Sequence, residues 1–123
     1  MSDDNQRESA KRPEDLTRLF LEFANAGDLE GLVTLYEPDA VLAIRTGGVA
    51  TGTDEIREVY RKILNERKTF SLPDQEPVLL SGDLALTSTR KAPGAPGGAT
   101  AEVARRQPDG TWRWIIDQPN VLA

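Results

Sequence analysis

The sequence has no cysteine and no histidine. Without cysteine there is no disulfide framework, no thiolate nucleophile and no Cys-ligated zinc or iron–sulfur site. Without histidine there is no Ser-His-Asp or Cys-His machinery, no imidazole base near pH 7 and no His-dependent metal site. Proton chemistry must then run on carboxylates, tyrosine, lysine or arginine-assisted water. A basic excess is also lacking. Fifteen Lys and Arg stand against 20 Asp and Glu, a net charge of −5. A nucleic-acid binder needs a basic stripe to displace counterions, and a membrane-surface protein needs a polybasic patch. No run approaches the ~20 apolar residues that cross a bilayer. The polar stretch Met1–Ala10 has no signal-peptide core. The expectation is a cytoplasmic protein with neither a nucleic-acid nor a membrane partner.

Cofactor signatures are missing too. Asp3-Asp4, Glu14-Asp15 and Asp54-Glu55 are adjacent pairs without the spacing of a calcium loop or metal cluster. Gly47-Gly48 and Gly97-Gly98 do not lead into a Lys-Ser/Thr helix, so no phosphate-cradling loop is present. No metal and no cofactor is expected.

What is present fits one ordinary globular domain: 123 residues, 38% hydrophobic and 28% charged, within the usual range. Residues 1–11 read as a frayed or disordered arm and 12–123 as a single domain. Pro13, Glu14 and Asp15 open a helix whose Leu16, Leu19, Phe20 and Phe23 share one face, and Gly27 ends it. Asp28 caps a second helix carrying Leu29, Leu32, Val33 and Tyr36, which Pro38 stops. Ala40–Ile44 reads as a strand and Val49-Ala50 as its short return. Thr53 caps a third helix, with Ile56, Val59, Tyr60, Ile63 and Leu64 as its apolar stripe. Strands are expected at Lys68–Leu72, Val78–Leu80 and Leu84–Arg90. After a Pro/Gly loop from Lys91 to Gly98, Ala99–Gln107 and Thr111–Asp117 pair through the turn Pro108-Asp109-Gly110. Helices followed by antiparallel strands make an α+β layout, with the helices on one side of a sheet.

The stretches Phe20–Tyr36, Pro38–Leu42, Gly47-Gly48, Gly52–Arg57, Ser81–Leu86 and Asp109–Asp117 occur in an order and spacing that resembles the nuclear-transport-factor-2-like superfamily. Within it, the chain is similar to the SnoaL-like and ketosteroid-isomerase-like proteins, over about residues 12–120. The resemblance implies a cone: a curved antiparallel sheet wrapped around three helices of the N-terminal half, with a pocket at the open end. It also implies a homodimer through the convex sheet face. The oxyanion tyrosine of the isomerases falls on Phe20 and their general-base aspartate on Ile44, so both chemical groups are replaced by hydrocarbon. Their protonated acid falls on Glu102, and Tyr60 stands where they keep a supporting tyrosine. The histidine that related proteins carry near the end of the last strand is replaced by Ile116-Asp117-Gln118. A steroid isomerase and a His-Asp cyclase are both disfavoured.

The implied register points Leu84, Leu86, Ser88 and Arg90 inward, then Glu102, Ala104 and Arg106, then Ile115 and Asp117, with Phe20 and Tyr60 closing the base. The ligand-binding candidates are Phe20, Ile44, Tyr60, Leu86, Ser88, Arg90 and Ile115; Glu102 and Asp117 are the candidate catalytic carboxyls. Trp112 and Trp114 fall on the convex face in that register, with Thr87, Thr89, Val103 and Arg105, where a second copy would cover them. Simple alternation would instead bury them. Tyr36 reads as core and Arg45 as a solvated loop residue.

Three functions follow as expectations. The first is a pocket protein for a small apolar molecule with a polar or anionic handle, oriented by Arg90, Ser88 and Tyr60. The second is a carboxylate-based isomerase, cyclase or lyase acting on an activated carbonyl compound. The third is a dimeric structural or regulatory module whose cavity is filled.

Overall fold

The structure, a computed structural model, describes residues 7–72, 74–90 and 98–122. The first helix, α1 (Glu14–Ala26), buries Leu16 and Leu19 on its apolar face and ends at Gly27, whose φ of 69° suits glycine. In α2 (Leu29–Thr34), the Asp28 carboxylate accepts the Gly31 N–H at 3.1 Å as an N-cap. Helix α3 (Gly52–Asn65) turns Ile56 and Tyr60 inward. The strands are β1 (Tyr36–Ala43), β2 (Val49–Thr51), β3 (Asp74–Gln75), β4 (Leu79–Ser81), β5 (Leu84–Arg90), β6 (Ala99–Arg106) and β7 (Trp112–Leu122). They form one curved sheet in the order β2-β1-β7-β6-β5-β3, with β4 also on β5. The three helices pack against it, giving the α+β architecture.

Four details depart from the sequence reading. The sheet is mixed, because β1 runs parallel to β7. Strand β1 starts at Tyr36, ahead of Pro38. Six residues from Tyr36 to Val41 oppose three from Trp114 to Ile116, so Pro38 sits in an irregular stretch where its missing N–H breaks no ladder. No strand forms over 68–72. The arm begins to dock earlier than residue 12: Ala10 is buried, its carbonyl accepts the Trp112 N–H at 2.8 Å, and Arg7 pairs with Asp28 at 2.8 Å. Residues 1–6 of that arm, and 91–97 of the Pro/Gly loop, lie outside the described residues.

The inner face of the sheet carries Ala85, Thr87 and Thr89 from β5, Glu102 and Ala104 from β6, and Trp112, Trp114 and Asp117 from β7. Trp114 and Asp117 are three positions apart, so plain alternation would send them to opposite faces. A bulge reconciles them. Ala104 opposes Trp114 while Val103 opposes Ile116, leaving Ile115 as an extra residue in β7. The tryptophans therefore belong to the core, 8% and 4% exposed, and do not form the outer face that was expected to meet a second copy. That outer face holds a different apolar row. Leu79, Leu86, Val103, Ile116 and Val41 are successive cross-strand partners over five strands. Among the described residues no helix is long and apolar enough to cross a membrane.

Trp114→Ala should lower stability by ~3–5 kcal/mol, the usual loss for truncating a core tryptophan, read from urea unfolding followed by circular dichroism. A loss under about 1 kcal/mol would contradict its interior position.

Candidate functional site

Between the helices and the inner sheet face lies a cavity of about 50 Å³. Helix α1 supplies Thr17 and Phe20 to its wall, and α3 supplies Tyr60. Strand β5 gives Thr89, β6 gives Thr100 and Glu102, and β7 gives Trp114, Asp117 and Pro119, with Leu72 from the preceding loop. The hydrocarbon is aromatic. Phe20 stands edge-on to Tyr60 and Trp114, with ring centres 5.9 and 6.3 Å away, and Tyr36 packs against the same two rings at 6.0 and 5.5 Å.

Two hydrogen-bonded chains run through this cluster. Tyr36 donates its hydroxyl to Asp117 Oδ2 at 2.5 Å, so its oxygen is left to accept from the Tyr60 hydroxyl at 2.6 Å. The Trp114 indole donates to Thr87 Oγ1 at 3.2 Å, and Thr87 donates to Glu102 Oε1 at 2.6 Å. Thr89 and Thr100 bond each other at 2.8 Å beside them. Among the described residues no lysine or arginine lines the cavity.

Two buried carboxyls without a cation resist ionisation. Burial drives the Asp117 carboxyl up to about 7, and the Glu102 charge adds to this while the Tyr36 hydroxyl opposes it. Burial also raises Glu102, against the Thr100 and Thr87 hydroxyls. Tyr36 is held far above the ordinary phenol range, first by burial and then by the Asp117 charge, and Tyr60 is raised for the same two reasons. Both tyrosines are therefore hydrogen-bond donors at any physiological pH. Asp117 can hold or release a proton near neutrality, which suits a general acid or base. A wider groove of about 270 Å³ lies between residues 7–10 and the β6–β7 turn, but none of its ionisable side chains is buried. The chemistry is in the smaller space.

Of the residues singled out from the sequence, Phe20, Tyr60, Glu102 and Asp117 meet at this cavity. Ile44 is half-buried beyond the end of β1 and packs on the core without lining the cavity. Leu86, Ser88 and Arg90 lie on the other face of β5. Leu86 is exposed, and the Arg90 side chain is 73% exposed, 3.7 Å from Glu76. Ile115 is the bulge residue and is not part of this cavity's wall. The expected β5 register was off by one, and such a slip exchanges every side chain between faces. Sequence reasoning missed Tyr36, Thr87, Thr89, Thr100 and the inward Trp114. No local signal marks the bulge, because Trp112, Trp114 and Ile116 alternate regularly with Arg113, Ile115 and Asp117 as in an unbroken amphipathic strand.

A folded-state carboxyl at about 7 against an ordinary 3.8 makes stability fall as pH rises between those values and level off above them, because the unfolded chain ionises first. Thermal unfolding should therefore show a lower Tm at pH 8 than at pH 5, with Asp117→Asn removing most of the difference. A wild-type Tm that rises over this interval would refute the burial of an uncompensated acid.

Comparison with known proteins places the fold. Residues 17–115 match the family described as the SnoaL-like domain. No curated protein matches the sequence. Among solved structures, a candidate dehydratase of the nuclear-transport-factor-2-like family from Streptomyces avermitilis is 24% identical, with 99% of this chain and 100% of that one covered and a TM-score of 0.71. A ketosteroid isomerase-like protein from Erwinia carotovora is 20% identical, with 85% and 88% covered and a TM-score of 0.64. A nuclear-transport-factor-2-like protein of cystatin-like fold from Novosphingobium aromaticivorans is 22% identical, with 89% and 80% covered and a TM-score of 0.66. At such identities the likeness speaks for the fold alone.

Proposed function

The chain belongs to the SnoaL-like domain family, and from that premise we propose that it binds a small, largely apolar molecule in the cavity between Phe20, Tyr60 and Trp114. The observation that carries this reading is the placement of Glu102 and Asp117, 6% exposed each, on the wall of an aromatic cavity. A purely structural filling has no use for them. Hydrocarbon at the same positions would pack without the desolvation that two buried acids incur. The volume admits a small ligand or one end of a larger one, since drug-sized pockets run to ~300–1,000 Å³. An anionic handle has lost its basis, because Arg90, its intended partner, is on the outer face. Native mass spectrometry of the purified chain should show a small molecule that Asp117→Asn or Phe20→Trp releases. Equal retention by both variants would place the ligand elsewhere.

The position of Asp117 favours a second reading, a carboxylate-based isomerase or lyase. Its carboxylate would take a proton from a carbon next to a carbonyl. Activity would then follow the deprotonated form, rising through about pH 7, and Asp117→Asn would abolish it. An Asn variant that retains turnover would exclude this role.

A homodimer belongs to the same proposal, now placed on the outer row. Leu79 (64% exposed), Leu86 and Ile116 are open to solvent there, and contiguous apolar patches of that kind mark interfaces. Light scattering should give twice 13.5 kDa for the wild type and the single mass for Leu86→Arg. A monomeric wild type would dismiss the dimer.

A further inference from the structure

We propose that the ligand of this cavity is a small organic cation, an alkylammonium head group set between the Asp117 and Glu102 carboxyls and the rings of Phe20, Tyr60 and Trp114. The inference rests on the pocket reading above and names its chemical class. Three independent features converge on it.

One is an acceptor without a donor. Asp117 is 94% buried, yet only its Oδ2 is bonded, to Tyr36; Oδ1 accepts no hydrogen bond from any described residue. No side-chain oxygen that is fully shut off from solvent lacks a partner among the described residues, so Oδ1 keeps contact with the space that Asp117 lines. A ligand N–H would complete it. The second is the wall. Trp, Tyr and Phe faces attract cations through their ring quadrupoles, most strongly where water is excluded. The third is charge. Two carboxyls face the cavity and no lysine or arginine among the described residues does, so the only charge its walls can take on is negative. An anion finds no cationic partner there, and a neutral alcohol makes a weaker hydrogen bond than an ammonium does. Burial raises the proton affinity of both carboxyls, and a small cation that fits can neutralise an ionised carboxylate there as a proton does. Size is compatible. At ~10–15 Å³ per water on this measure, about 50 Å³ is the space of roughly three to five waters, enough for an ammonium with its first carbons.

The test is isothermal titration calorimetry of the full chain with n-butylammonium, n-butanol and butyrate at equal ionic strength. Butylammonium should bind about tenfold or more tighter than butanol, as a charge-assisted hydrogen bond provides, and butyrate should not bind. Asp117→Asn should reduce the preference for the cation over the alcohol to about threefold or less, the scale of a neutral hydrogen bond. Should that variant fail to fold, Glu102→Gln must weaken the same preference, and an unchanged ratio in whichever variant folds overturns the assignment. If butanol or butyrate binds as well as butylammonium to the wild type, the cation inference is wrong while the pocket reading stands. If none of the three binds, and xenon leaves the Trp114 indole resonance unshifted, both readings fall.

Discussion

The site depends on one extra residue in the last strand. Ile115 bulges out of the β6–β7 ladder, and by doing so it brings Trp114 and Asp117 to the same face of the sheet. Without it the alternation of β7 would turn Asp117 to solvent whenever Trp114 faced the core. Everything chemical in the cavity follows from that shift. Trp114 supplies both a wall and the indole N–H that holds Thr87, and Asp117 comes within reach of Tyr36. Bulges commonly re-aim side chains beside active sites, and here the re-aimed residue is an acid.

Burying that acid costs free energy, and the protein offsets the cost with neutral donors. Tyr36 reaches Asp117, Tyr60 reaches Tyr36, and Thr87 reaches Glu102. Arginines are spent elsewhere, in partly or wholly exposed pairs: Arg57 with Glu30, Arg105 with Glu37, Arg106 with Asp83. The result is a pair of buried acids whose ionisation an aromatic setting disfavours. Such a pair weakens the fold at high pH and equips the cavity for proton transfer or for capture of a positive charge. That trade points to function over stability.

Much of this was legible in the sequence. The three helices follow from spacing and caps, and Pro108–Gly110 marks the terminal hairpin. Resemblance brought Phe20, Tyr60, Glu102 and Asp117 together before any coordinates did. What escaped has physical reasons. In β5 the large apolar residues Leu84 and Leu86 are the exposed set, while Ala85, Thr87 and Thr89 are buried, so hydrophobicity pointed to the wrong face. The stripe of Tyr36 with Val33 and Leu32 concealed the fact that the chain leaves the helix before Pro38. The parallel pairing of β1 with β7 has no local signature at all. For Trp112 and Trp114 the register implied by the resemblance points outward and simple alternation points inward, and nothing local in the sequence decides between them.

The central claim is that Asp117 sits in the cavity as an acid that titrates near neutrality. Infrared difference spectroscopy of the carbonyl stretch of protonated carboxyls tests it most directly. The account predicts a band present at pH 5, lost with a midpoint about pH 7, and missing from Asp117→Asn. A wild-type spectrum with no such band at pH 5, or one that the Asn substitution leaves in place, would contradict it.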